Sequence, residues 1–263
     1  MSAEAVPAFS SSLFSSGADA HATLSATLWH LLTRLGEAQI LLPLAAVAAA
    51  WLWLAAGQRR LVLRWALAIA TAGGLTTASK LAFMGWGLGS ARWDFTGISG
   101  HAMFAAVCLP VLAWVALAVG GAEDRRGLRR KLALVAGYML AALVAWSRIE
   151  VGAHSHSESA AGFALGGLAS AWALAGAPRL RQMLPLWLPA GLAAALLLLP
   201  FSAPRSRSHE LMMEISRQIS GRDRLYTRRD LHRRGSGQPA GALSAAGRLP
   251  GTTGPGSSPP APH

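Results

Sequence analysis

Residues 147–159 read SRIEVGAHSHSES and fall between two strongly apolar runs, LALVAGYMLAALVAW and AAGFALGGLASAWALAGA. Charge placed at the edge of a hydrocarbon layer is costly, and where it persists it usually serves a function. Arg148 offers a planar, permanently charged fork that matches the oxygens of a phosphoryl group. A neutral imidazole such as that of His154 is a competent nucleophile toward phosphorus. Glu158 follows four residues later. If a helix opens at about His154, that spacing sets the two on one face. A carboxylate on one ring nitrogen then fixes the tautomer, frees the other lone pair and stabilises the positive ring formed on phosphorylation.

A second polar stretch, GWGLGSARWDFTGISGHAM, ends at Met103. Ser99 stands where the next apolar run begins, a good N-cap position. The N–H groups of Ser99, Gly100 and His101 at a helix start would bind an anion, helped by the helix dipole, and Gly100 permits close approach to the backbone. Lys80 adds a point charge. His101 is placed to protonate a departing oxygen and then activate water. Such parts suit a phosphoryl group whose charge spreads in the transition state. A rival reading makes His154, His156 and Glu158 metal ligands, but it sets Arg148 as a cation beside a cation.

What must position these residues is a membrane bundle. The chain has 263 residues, 52% hydrophobic and only 14% charged, against about 25% charged in an ordinary soluble domain. The apolar residues come in six blocks, about Ile40–Ala56, Trp65–Met84, Ala102–Gly120, Leu132–Trp146, Ala160–Ala175 and Leu184–Phe201, which read as membrane spans. Leu24, Leu28, Leu31, Leu32 and Leu35 lie at helical spacing, interrupted by Arg34 and Glu37, and read as an interfacial amphipathic helix. The expected fold is all-α: an integral membrane six-helix bundle with an N-terminal interfacial helix. Small residues such as Gly73, Gly74, Gly162, Gly166 and Gly167 would let helices pack closely.

The expected organisation is a flexible leader over 1–21, the membrane domain over 22–201, a basic amphipathic tail over 202–234 and a disordered Gly/Pro/Ser tail over 235–263. The net charge of +12 lies mostly outside the apolar blocks. It points to loops and a tail facing anionic headgroups rather than to nucleic acid. With one cysteine, Cys108, no disulfide forms within the chain. Arg59, Arg60, Arg125, Arg126, Arg129, Arg130, Lys131, Arg179 and Arg181 gather in the loops of one side. The positive-inside rule makes that side cytoplasmic and turns both polar stretches to the exterior.

Ser99-Gly100-His101, then Ser147-Arg148, five residues, His154, three residues and Glu158, resemble the type 2 phosphatidic acid phosphatase family of the vanadium haloperoxidase superfamily. The resemblance spans roughly residues 38–201. It implies a metal-independent, cofactor-free membrane phosphatase acting on a lipid phosphate or diphosphate at the outer face of a bacterial cytoplasmic membrane. By similarity, His154 is the nucleophile, His101 the general acid/base and Glu158 the orienting acid. Arg148, Lys80 and the Ser99–Gly100 backbone hold phosphate. Three positions depart from the family pattern: the acid is Glu158 rather than Asp, Ile98 stands where Pro is common, and Gly87-Leu88 replace the Arg-Pro expected after Lys80. Arg92 is the expected substitute guanidinium. A lipid phosphotransferase on the same site, or a non-catalytic binder of anionic lipid, are the alternatives.

Overall fold

The structure is a computed structural model that describes residues 12–117, 127–177, 187–202, 208–222 and 224–235. Among the described residues every regular element is helical: α1 (Ser12–Arg34), α2 (Ala38–Leu54), α3 (Arg59–Trp86), α4 (Gly100–Leu117), α5 (Leu128–Glu150), α6 (His156–Leu174), α7 (Trp187–Ser202), α8 (Ser208–Ser220) and α9 (Arg228–Gly235). The six apolar blocks correspond to α2 through α7. By length and composition α3 and α5 can cross a membrane, while Gly100–Ala116 and Ala190–Ser202 are shorter apolar helices. Thr23–Arg34 and Ala38–Leu54 qualify together as a third span, bent by 46° at their break. Residues from Ser12 onward, expected as leader, are already helical. The rest of the leader, most of the Gly/Pro/Ser tail, and Arg125, Arg126, Arg179 and Arg181 lie outside the described residues.

The core is built around α4, where residues including Met103, Val107, Val111 and Trp114 are buried. The indole N–H of Trp65 in α3 donates to the carbonyl of Val107 at 2.9 Å, so the large ring enters the core with its polar atom satisfied. Helices close on α4 through glycine. A Cβ on Gly137 would stand 2.5 Å from the Cα of Pro110, and one on Gly162 would stand 2.5 Å from the carbonyl oxygen of Ser99. One on Gly166 would strike the carbonyl of Met103. Gly162 and Gly166 thus form the small-residue seam expected of close helix packing in lipid. Gly74, by contrast, faces open space. Replacing Gly166 with Leu is expected to cost about 1–3 kcal/mol by overpacking and to lower the thermal midpoint of the detergent-solubilised protein. Gly74→Leu should leave it unchanged, so equal midpoints for the two variants would refute this packing.

The outer surface is apolar: Leu132, Val135, Met139, Leu143 and Trp146 form an exposed stripe along α5, and Leu63, Leu67 and Leu75 line α3. A water-facing helix would carry charge there, so the stripe marks a lipid-facing wall. The bundle has two chemically different ends. At one, Arg64 and Arg130 donate to the carbonyls of Ala175 and Ala177 at 2.7 Å and 3.3 Å, cations at the negative end of α6. At the other end α3 and α5 finish, α4 and α6 begin, and the sequence-predicted site residues collect.

Candidate active site

The spacing between Arg148 and His154 has a local cause. After α5 ends, the chain folds back through Gly152, whose φ of 66° suits glycine. The N–H groups of Ala153 and His154 both donate to the carbonyl of Arg148, at 3.0 Å and 3.1 Å. The five intervening residues therefore form a tight return that sets the imidazole beside the guanidinium. α6 begins only at His156, with Ser155 as N-cap, so His154 precedes the helix rather than sharing a face with Glu158. What joins them is a capping box. The Glu158 N–H donates to the Ser155 hydroxyl at 3.3 Å, and the Ser155 N–H donates back to Glu158 Oε2 at 3.1 Å. That reach brings the same oxygen to 2.8 Å from His154 Nδ1 and explains why a glutamate stands here, since the box needs the longer side chain at this position.

Glu158 is 0% exposed. Its other oxygen, Oε1, accepts the Thr96 N–H at 2.7 Å and the Thr96 hydroxyl. A carboxylate surrounded by donors can only accept, so Nδ1 of His154 carries the proton and Nε2 keeps its lone pair. Burial holds the His154 pKa below its ordinary value, with Lys80 and Arg148 adding to the effect and the hydrogen bond to Glu158 opposing it. The ring is therefore neutral, the nucleophilic form, at neutral pH.

The 87–99 loop is folded to deliver Thr96 and His101. Gly87, left-handed at φ 71°, ends α3. Ser90 and Phe95 exchange backbone hydrogen bonds at 3.0 Å and 2.9 Å. Gly97 passes so close to Lys80 that a Cβ would stand 3.0 Å from its Cγ. Ser99 is fully buried, and its N–H donates to the carbonyl of Glu158 at 3.1 Å. This corrects the expectation that the Ser99 N–H is free for an anion. The first N–H groups of α4, on Gly100 and His101, still lack carbonyls within the helix by geometry.

Lys80, Gly100, His101, Arg148 and His154 line one cavity of about 620 Å³. Its walls are apolar, with Phe83, Met84, Met103 and Phe104 from the bundle. Arg148 is fixed by its Nη1, which donates to the Thr33 hydroxyl of α1 at 2.6 Å. Its Nε is buried and meets no acceptor, and the same holds for the Thr76 hydroxyl in this cavity. Arg92 stands elsewhere: it is exposed, its guanidinium lies 5.6 Å from the Trp93 ring centroid, and it does not line the cavity. His156 packs edge-on against Trp146, at 6.2 Å between centroids.

Three contributors have no local sequence signature: Thr33, Thr96 and Arg228. The basic tail, expected to lie on the membrane surface, folds back instead. α8 packs on α3, and Met212, Met213, Leu225, Tyr226, Thr227 and Arg228 close one side of the cavity.

The family described as PAP2 superfamily matches residues 61–182, the stretch that carries Lys80, His101, Arg148, His154 and Glu158. An uncharacterized 22.5 kDa protein in the cps region of Klebsiella pneumoniae is 36% identical over 209 residues, covering 78% of this chain and 98% of that one. The chain belongs to the PAP2 superfamily. Membership supports a phosphatase, a hydrolase of phosphoric esters, and the apolar outer wall and span-length helices agree with a membrane protein. No solved structure matches the chain. The PAP2 match ends before α7, so the tail that walls the cavity lies beyond the residues matched to the family.

Proposed function

We propose that the protein is a membrane-bound lipid phosphate or diphosphate phosphatase that works through a phosphohistidine. The observation that carries this reading is the buried Arg148 Nε without an acceptor, in a cavity that also holds Lys80 and a neutral His154. A buried guanidinium nitrogen left unpaired costs free energy unless an anion fills the site. The apolar wall of Phe83, Met84, Met103 and Phe104 beside that cationic end suits a ligand with a phosphate head and a hydrocarbon body.

In the first half-reaction, Nε2 of His154 forms a bond to phosphorus as the ester P–O bond breaks. The negative phosphate beside His101 favours its protonated ring, which gives that proton to the departing alkoxide. Glu158 balances the positive imidazole. In the second half-reaction, His101 takes a proton from water, the hydroxide attacks phosphorus and the P–N bond breaks. Inorganic phosphate leaves, and His154 is neutral again. Lys80, Arg148 and the first N–H groups of α4 hold the oxygens throughout. The cycle uses protein groups alone. α2 through α7 act as a six-span bundle, with the basic end in the cytoplasm and the cavity facing the exterior, as the bias of short-loop Arg and Lys supports.

The test is release of inorganic phosphate by the purified protein, in chelator, from micelles of phosphatidic acid, phosphatidylglycerol phosphate and a polyprenyl diphosphate. At least one lipid is expected to turn over. Binding of all three without phosphate release would identify an anionic-lipid binder instead.

A further inference from the structure

One cation of the cavity has no role in the cycle above. Arg228 opens α9, 70 residues after Glu158. Its Nη2 donates to Glu158 Oε2 at 2.7 Å, the oxygen that also accepts Nδ1–H of His154. Its Nη1 donates to the Asp94 side chain and, at 3.3 Å, to the Asp94 carbonyl. We propose that Arg228 is a positioning residue of the site, one that holds the Glu158 carboxylate against His154 and acts through Glu158 rather than on the phosphate. This rests on the phosphohistidine reading.

The surroundings of Arg228 are organised for that contact. Thr227 precedes α9 and its N–H and hydroxyl both donate to the Asp230 carboxylate, at 2.9 Å and 2.7 Å, a cap that fixes the first turn. One residue earlier, the Tyr226 N–H donates to the carbonyl of Met84 at 2.9 Å, tying the segment to the end of α3. Asp94 takes a left-handed backbone, φ 46°, unusual for a non-glycine. In that conformation its carboxylate meets both Arg228 and, at 2.8 Å, Nε2 of His232. The tail is thus clasped at two points to the loop that carries Thr96.

Arg228 answers a physical need. Glu158 is fully buried, and a buried charge requires donors or a counter-charge. Arg228, 36% exposed at its side chain, supplies one from the rim while its guanidinium reaches inward. Without Arg228, Glu158 would be freer to swing off Nδ1, and the tautomer of His154 would no longer be fixed. The other charged and titratable groups facing the pair are Lys80 from α3, His101 from α4, Arg148 from α5 and Asp94 from the loop.

The test compares the full-length protein with Arg228→Ala, Arg228→Lys and Asp94→Asn. It reads kcat and KM on whichever lipid phosphate the wild type hydrolyses, with thermal midpoints to confirm folding. Arg228→Ala should lower kcat about 10- to 100-fold, the usual cost of losing an orienting partner. KM should stay nearly constant. Arg228→Lys should recover part of kcat, and Asp94→Asn should lower it less than Arg228→Ala does. An unchanged kcat, an effect confined to KM, or a rise in kcat would overturn the proposal. If the wild type releases no phosphate from any lipid, the phosphatase reading fails separately. Imidazole ¹⁵N shifts of histidine-labelled protein, assigned with His154→Gln, then test Arg228 directly. His154 should be a single Nδ1–H tautomer in the wild type and a mixture in Arg228→Ala, and identical spectra would overturn the positioning role.

Discussion

His154→Ala abolishes phosphate release, with an expected loss on the order of 10⁴-fold or more, the scale on which a nucleophile is missed when the rest of its site survives. The loss is large because nothing else in the cavity replaces the ring. Lys80 and Arg148 are cations that stabilise charge and cannot attack phosphorus at neutral pH. Of the two imidazoles, only His154 has a carboxylate on Nδ1 to fix the tautomer and stabilise positive charge. The variant should fold, since His154 precedes α6 and the capping box is formed by Ser155 and Glu158 without it. A covalent trap gives the sharper measurement. Wild type mixed briefly with ³²P-labelled lipid phosphate and quenched in base should retain label on protein, and acid should release it, as expected of a phosphoramidate. His154→Ala should take up none. Label retained by His154→Ala but lost in His101→Ala would mean that the two histidines have exchanged roles.

The local part of this site was legible in the sequence because it is held together by short-range geometry. Arg148 and His154 sit side by side because one carbonyl accepts the N–H groups of Ala153 and His154, a return that can form only at close spacing. The His–Glu interval of four suggests a helical face. It arises instead from a capping box, whose own signature, Ser155 followed three residues later by Glu158, was present in the same stretch. Gly162 and Gly166 also showed in sequence, since small residues four apart on an apolar helix have few other uses. What could not be read is what arrives from a distance. Thr33 reaches Arg148 across 115 residues, and Arg228 reaches Glu158 across 70. Neither is marked by periodicity or spacing. Arg92 is the loop residue that could supply the guanidinium missing after Lys80, yet the turn between Ser90 and Phe95 leaves it on the exposed ring of Trp93. Apolar blocks located α2 through α7, but composition alone did not show that the first of them is bent against the helix before it.

Two substitutions at Glu158 separate its two duties. Gln can occupy the same capping box, which accepts either side chain, but its NH2 must face one of the two sets of donors that now meet the carboxylate, so Glu158→Gln should also lose stability. Its amide is neutral, however, and can no longer balance the positive imidazole that forms as Nε2 bonds to phosphorus. Rate should fall about 10³- to 10⁴-fold in kcat/KM, the scale seen when a buried carboxylate behind a catalytic histidine is made an amide. Asp retains the charge but is a methylene shorter. From the third position of α6 it cannot meet both the Ser155 N–H and His154 Nδ1, which the single Oε2 of Glu158 now does at 3.1 Å and 2.8 Å. Glu158→Asp should therefore lose about 1 kcal/mol of stability with the cap while keeping more activity than Glu158→Gln. The higher kcat/KM of Glu158→Asp, in spite of its lost cap, is the diagnostic result. If Glu158→Gln turned over lipid phosphate at nearly the wild-type rate, no positive imidazole would be forming at residue 154, and the covalent route would be excluded whatever the cavity binds.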